Sequence, residues 1–462
     1  MKALAIDGQM ATAPAPQAAR RWTAALLRPF SKVLPDEAPA LALMALSSFL
    51  LLAAYYLLKT VREPLILLQG GAEVKLYARA GQAVLMAGFV HVYGELARRV
   101  GRGRLLTIVF LFFISNLIVF ALLARLGMPI GLPFFLWVGL FSYTVVAQFW
   151  ALAADIYTEE QGKRLFPLIG AGSSVGAVAG GLLAKALVGF GPAALMGTAV
   201  VVLLVCAGLI ASVERRARGT TAAARAARAA RAPEVPLADE SAWRLLAHDR
   251  YLWLIAGMVI VLNWVNSSGE YLLDRTLITA ARQAAATGTI SSQAYIGGFK
   301  AGYYAWYNTV GVALQLLAVS RILRVVGVRG ALYFLPAFGL VAYGGAIFLP
   351  TLAFIRLVKI GENSVQYSLQ DTTRHALFLV SSRAEKFVGK TAVDTVAVRV
   401  GAIMSALFVF AGARLRWSTA TFATINAALA LAWLAVVWLI GREHLRRERA
   451  ARQTEMEGGA SS

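Results

Sequence analysis

A single cysteine, Cys206, occurs in the whole chain, inside the apolar run AVVVLLVCAGLIA. An intrachain disulfide is excluded, as is any metal centre built from thiolates. The four histidines, His91, His248, His375 and His444, are scattered without ligand spacing, so no metal is predicted and no cofactor is implied. Charge is scarce, at 15% of 462 residues against 59% hydrophobic. The first 22 residues, MKALAIDGQMATAPAPQAARRW, lack the sustained apolar core of a cleaved secretory signal. The glycine-rich stretch GAGSSVGAVAGG, 170–181, lacks the G-x-G-x-x-G spacing and any surrounding βαβ pattern, so a dinucleotide site is excluded. Its Gly172, Gly176 and Gly180 recur every four residues, the signature of a close-packing face between membrane helices. No nucleophile and base stand at a recognisable spacing, and an enzyme is not expected.

What the chain does have is apolar runs of about twenty residues, the length that crosses a hydrocarbon core of roughly 30 Å. Spans are predicted at 40–68, 75–97, 104–126, 130–157, 164–190, 193–213, 251–275, 296–320, 329–349, 351–373, 387–412 and 418–440. The expected fold is an all-α membrane protein of about twelve transmembrane helices. The formal net charge of +21 is mostly topological, because basic clusters alternate with the spans. Arg20/Arg21, ARRVGRGR, EEQGKR, the arginine-rich centre, SRILRVVGVR, SSRAEK and REHLRRER fall on one side. Both termini are therefore predicted to be cytoplasmic, and no nucleic-acid partner is expected.

The two halves resemble each other. YGELARRVGRGRLL (93–106) matches SRILRVVGVRGAL (320–332), and WALAADIYTEEQGKRLFPLIG (150–170) matches YSLQDTTRHALFLVSSRAEKFVG (367–389). Duplication of a six-helix unit follows. The organisation read from this is an N-terminal tail (1–38), a first six-helix half (39–213), a basic linker (214–250), a second half (251–441) and a basic C-terminal tail (442–462). Within the linker Arg225, Arg228 and Arg231 recur every third residue. It reads either as a solvated loop held inside by its charge or as a short helix on anionic headgroups.

Polar stripes run through the spans, and charges at a helix centre normally face a cavity or a partner rather than lipid. On the first span Tyr55, Lys59 and Arg62 share a face, and Pro64 is expected to bend the helix directly afterwards. The competing reading is that these cations have reached the interface and snorkel. The second span adds Arg79 and Gln82. The seventh carries Asn263, Asn266, Glu270 and Asp274, and the eighth Tyr304, Asn308 and Gln315. The tenth carries Arg356, Lys359, Asn363, Gln366 and Gln370, with Glu362 beside them. Taken together they imply a central hydrated pathway. The predicted solute contacts are Lys59, Arg62, Arg79, Asn266, Glu270, Tyr304, Asn308, Arg356, Lys359 and Asn363, with Asp274, Glu362 and Asp394 in coupling or gating. Clustered Lys and Arg suit a phosphate or carboxylate, so a small anionic solute is the expected partner besides the lipid bilayer.

Three stretches, LLKTVREPLILLQGGAE (57–73), ADIYTEEQGKRLFPLIGAGSSVG (154–176) and YSLQDTTRHALFLVSSRAEKFVGKTAVDTV (367–396), resemble the ATP/ADP translocase family of plastids and intracellular bacteria. That family is a distant branch of the major facilitator superfamily. GKTAVD (389–394) and the KR-x-x-P-L-x-G-x-G run are the most specific parts, and GELARRVGRGR resembles the superfamily's loop between its second and third helices, with Arg98 in place of an aspartate. The resemblance implies a 6+6 bundle and an alternating-access antiporter of nucleotides. It also implies a site bounded by lysines and glutamates on the first, fourth, seventh and eleventh spans. Those positions fall at Arg62, Leu140, Asn266 and Ala402, so one of the four keeps its charge. The expectation is a divergent transporter of a nucleotide or other phosphorylated metabolite, monomeric and in the bacterial inner membrane. The alternatives are a proton-coupled carrier titrating at Glu270, Asp274 or Asp394, and a non-transporting scaffold, against which the buried polar stripes count.

Overall fold

The computed structural model describes residues 34, 37–99, 102–231, 249–288, 290–378, 390 and 393–459, and all regular structure among them is helical. The first half comprises α1 (Ala38–Arg99), α2 (Arg102–Arg125), α3 (Gly131–Ile156), α4 (Glu159–Leu187) and α5 (Pro192–Arg231). In the second half are α6 (Arg250–Ala286), α7 (Ser292–Leu314), α8 (Ser320–Ala331), α9 (Phe334–Phe348), α10 (Leu352–Val365), α11 (Asp371–Leu377), α12 (Val398–Arg414) and α13 (Thr419–Gly459). Single π-helical turns, Gln315–Val319, Gln366–Gln370 and Val393–Ala397, join α7 to α8, join α10 to α11 and precede α12. Helix starts follow local chemistry. Thr158 and Gln161 form a reciprocal capping box on α4, and Asp249, Ser291 and Thr351 cap α6, α7 and α10, satisfying amides that have no partner inside the helix.

Eight described helices are long and apolar enough to cross a membrane. The spans read at 40–68 and 75–97 merge into α1, whose only non-helical residue is Gly71 at φ 76°, a left-handed conformation that glycine adopts without a Cβ penalty. The break expected at Pro64 therefore lies seven residues later, with Pro64 inside the helix. The ninth span is the shorter apolar helix α9, and the tenth and eleventh are interrupted by charge and by π turns. The first part of the linker is helical, since α5 continues to Arg231; residues 1–33 and 232–248 lie outside the described set.

Turns at Gly71, 127–130, 188–191, 287–288 with 290–291, 349–351 and 415–418 collect at one end of the bundle. Gln69 accepts from the Gly131 amide at 2.6 Å there, and Arg275 donates to the Trp417 carbonyl at 2.9 Å. We call this the outer end and the other the basic end. The two halves pack on each other through α1 against α6, α7 and α12, and through α4 against α7. Each half has its own apolar core, in the first centred on Phe113, Phe134, Trp137 and Phe141 and in the second on Tyr251, Met258, Leu335 and Trp433.

The glycine ridge of α4 sets the first half's geometry. A Cβ on Gly172 or Gly180 would fall 2.5 Å from the carbonyl oxygen of Ala45 or Ala53 on α1, and one on Gly176 would strike the Phe49 carbonyl. Ser48 donates to the Ile169 carbonyl at 2.7 Å in the same seam. At the basic end Glu37, just before α1, accepts from Arg164 at 2.9 Å and from Gln161 at 3.0 Å. Burial alone would raise the Glu37 carboxyl, but its hydrogen bonds to Arg164 and Gln161 outweigh that and hold it below its ordinary 4.5.

Gly176→Leu is expected to cost about 1–3 kcal/mol by overpacking. Gly170→Leu, whose Cβ meets nothing within 4 Å, should cost little, with the thermal midpoint of the detergent-solubilised protein as readout. Because the folded value of Glu37 is lowered, its stabilisation is full above the ordinary carboxylate range and fades as pH falls through the lowered value. Glu37→Gln should flatten that acid limb in a plot of thermal midpoint against pH.

Candidate functional site

Toward the outer end, three carboxylates and two ammonium groups share one buried space. Lys300 on α7 lies 2.6 Å from Asp274, 2.9 Å from Glu270 and 3.6 Å from Glu63. Lys75 on α1 lies 2.6 Å from Asp274 and 3.6 Å from Glu270, and also pairs with Glu63. Arg62 adds a 3.2 Å contact to Glu63 and stacks on Phe135. Arg62, Lys75 and Lys300 thus balance Glu63, Glu270 and Asp274, three charges of each sign. Side-chain exposure is 10% at Glu270 and 4% or less at Glu63, Lys75, Asp274 and Lys300, so only mutual pairing stabilises these ions.

A polar chain runs inward from this network. Tyr303 donates to Glu270 at 3.3 Å, and Asn363 donates to the Tyr303 hydroxyl. Asn266 donates to Asn363 at 3.0 Å and to Gln366. Lys359, fully buried, pairs with Glu362 at 3.0 Å and donates to the Asn266 carbonyl at 3.1 Å, while Tyr343 donates to Glu362 at 2.7 Å.

Lys59 has a different setting. Its ammonium lies 4.4 Å from the Tyr304 ring centroid, 5.0 Å from Tyr56, 5.5 Å from Tyr307 and 5.9 Å from Tyr55. It donates to the Tyr307 hydroxyl at 2.9 Å, and among the described residues no carboxylate pairs with it. Tyr56 donates to Asn308 at 3.1 Å, and the Tyr307 ring meets that of Tyr367, which is 57% exposed. Arg79, half-buried and likewise without an acidic partner among the described residues, is within electrostatic range of Lys59 and Tyr367.

The structure sorts the residues singled out in the sequence. Lys59, Arg79, Tyr304 and Asn308 gather around the tyrosine cage. Arg62, Glu270 and Asp274 belong to the outer network instead, and Asn266, Lys359, Glu362 and Asn363 to the inward polar chain. Arg356 does not join Lys59. Its guanidinium stacks on Phe299, 4.9 Å away, beside Gly302, on the side of α7 that carries the exposed Trp306, while at 3.6 residues per turn Tyr304 points elsewhere. Asp394 lies at the basic end, 3.1 Å from Arg374. Gln82 bonds the Phe135 and Leu136 carbonyls of α3, a contact between helices, and Asn263 bonds back to the Val259 carbonyl within α6. Lys75 and Lys300 were not singled out, although each stands four residues before a polar residue that was, Arg79 and Tyr304. Glu63, Tyr56, Tyr303, Tyr307 and Tyr343 were missed as well.

Oxygens of Glu63, Glu270 and Asp274 converge within 4.8 Å, the donor set of a cation site. Lys75 and Lys300 already lie among them, and with Arg62 they leave no negative charge for a divalent ion.

Comparison with solved structures gives matches over most of the chain. The nucleoside transporter NupG matches with a TM-score of 0.62 at 12% identity, over 86% of this chain and 98% of that one. The POT family transporter PepTSo matches at 0.63 and 12%, over 88% and 98%. A bacterial homolog of the lysosomal transporter Spinster, inward-facing and unoccupied, matches at 0.56 and 12%, over 90% and 99%. The fold is a major-facilitator fold. Residues 346–448 match the family model described as TLC ATP/ADP transporter; no curated protein sequence matches the chain. The chain is an integral, multi-pass membrane protein.

Within this major-facilitator fold, the first- and seventh-span positions implied by the family resemblance take up different tasks. Arg62 is bound into the outer network, and Asn266 into the polar chain beside Lys359. Leu140 packs against the first half's apolar core.

Lys300→Met leaves three buried carboxylates short of one counter-charge and is expected to cost about 3–5 kcal/mol. Lys59→Met breaks no ion pair and should change stability by less than about 1 kcal/mol. Thermal unfolding of the two variants side by side checks the contrast.

Proposed function

We propose that the chain is a secondary transporter that works by alternating access and carries a small anionic, nucleotide-like solute. The observation that carries this reading is Lys59. It is a cation inside the bundle, framed by tyrosines and without a carboxylate partner among the described residues, whereas the cations of the outer network and Lys359 are neutralised by acids. With Arg79 it gives the cage a net positive charge that suits phosphate oxygens. The exposed ring of Tyr367, packed beside Tyr307 at the edge of the cage, suits a flat heterocycle, which stacks on aromatic rings. Nucleoside transport by NupG and the TLC match over residues 346–448 support the nucleotide-like class.

The buried outer network corresponds to a state closed at the outer end. Basic clusters at the opposite end favour a cytoplasmic side there, and the bacterial inner membrane is the compartment this reading favours. The site is built within one chain, in keeping with a monomer, and it is read as a carrier rather than as an enzyme.

Thermal stabilisation of the purified protein by ADP, AMP, inorganic phosphate and adenosine tests the reading, since a specific ligand raises stability by mass action. The nucleotides are expected to shift the midpoint more than adenosine or phosphate does, and Lys59→Gln to weaken them about tenfold or more. Equal shifts with adenosine and ADP, or binding indifferent to Lys59, would overturn it.

A further inference from the structure

The outer network is neutral as a whole but not half by half. Arg62, Glu63 and Lys75 all belong to α1 and sum to +1, whereas Glu270 and Asp274 on α6 with Lys300 on α7 sum to −1. Lys75 is the group that crosses between the halves to reach Asp274 and Glu270. Opening the outer end withdraws Lys75 with α1 and leaves two carboxylates, one helical turn apart, sharing the single ammonium of Lys300. Other charges nearby do not fill the gap. Lys359 is held by Glu362 on α10, Arg79 and Lys59 move with α1, and Arg275 is turned to the Trp417 carbonyl. Tyr303 and Tyr304 on α7 and Tyr343 on α9 are neutral hydroxyls, α13 meets this part of α6 through Asn426 on Ser268, and Glu73, bonded to Tyr271, departs with α1.

We propose that Glu270 and Asp274 form a proton-binding site loaded from the outside when the halves part at the outer end and emptied into the central cavity when Lys75 returns. This deepens the transporter reading and rests on it. On opening, a proton from outside water adds to one carboxylate oxygen and makes the second half's wall neutral. When the halves close, the Lys75 ammonium takes up its place between the carboxylates and the proton leaves. With the outer end shut, the proton leaves on the cavity side, from Glu270, the most exposed member of the network at 10%. One proton then travels inward with each cycle, and the excess positive charge on α1 faces outside when an anion is to be admitted.

The test needs no solute. Spin labels at Leu68→Cys and Ile290→Cys, positions 41% exposed on opposite halves of the outer end, in a Cys206→Ser background, report outer-end opening by double electron–electron resonance in nanodiscs. A state that binds a proton gains population as pH falls, so the longer-distance population is expected to grow about fivefold or more from mildly alkaline to mildly acidic conditions. In Asp274→Asn/Glu270→Gln the response should be flat. If that variant is not recovered folded, Asp274→Asn alone, which keeps Glu270 on Lys300, carries the same comparison. A pH-independent distance in the otherwise unchanged protein overturns the proposal. So does a response that survives the substitutions, which would point to groups at the basic end such as His375. Neither result bears on whether ADP binds at Lys59, so the two readings fail separately.

Discussion

Ions taken out of water must be neutralised by other ions, and most of this molecule's polar interior is arranged around that requirement. Glu63, Glu270 and Asp274 are tolerable within the bundle because Lys75 and Lys300 each reach all three. The pairing joins α1 to α6 and α7 and so holds the two halves together at one end. It also separates roles among residues that look alike in sequence. Arg62 and Lys359 are cations in the membrane like Lys59, yet each is already matched by an acid and is thereby withdrawn from any solute. Around the tyrosine cage Lys59 and Arg79 have no acidic partner among the described residues, and under the proposed function they are what a solute meets.

The resemblance to nucleotide transporters gains a physical explanation at its second motif. In KR-x-x-P-L-x-G-x-G, Arg164 holds Glu37 at the start of α1, and Gly172 begins the ridge that brings the α4 backbone against α1. These residues specify how two helices meet, not what passes between them. Such a motif can be shared by chains whose solute sites differ, and the resemblance sets its other charged positions at Leu140 and Ala402, which carry none.

Much of this was legible beforehand wherever the information is periodic. The stripes of Glu270 with Asp274 and of Tyr304 with Asn308 follow from helical spacing, as does the glycine ridge. Pairing between distant segments has no such local trace. Lys75 and Asp274 lie 199 positions apart, and a lysine near the start of a span reads as one that reaches for the interface. Arg356 shows the converse limit. Its spacing to Lys359 and Asn363 suggested one face, but three-residue and four-residue steps straddle the helical repeat, and its neighbour Phe299 draws it to the far side of α7. At α1 the sequence points to proline as the breaking point, whereas the helix absorbs Pro64 and yields at Gly71, where the backbone enters a region that glycine alone occupies freely.

The contacts along α1 also have a mechanical meaning. From Glu37 at one end, through the glycine seam with α4, to Glu63 at the other, this helix is clamped along its length and cannot bend independently of its neighbour. It acts as a stiff lever of about 39 Å, at 1.5 Å per residue. A tilt of about 10° pivoting near Glu37 would carry the far end some ~7 Å at that length, more than the span of any ion pair in the outer network. The first half can therefore break every cross-half pair in one stroke without deforming, whereas the second half, with its three π turns, has the looser joints.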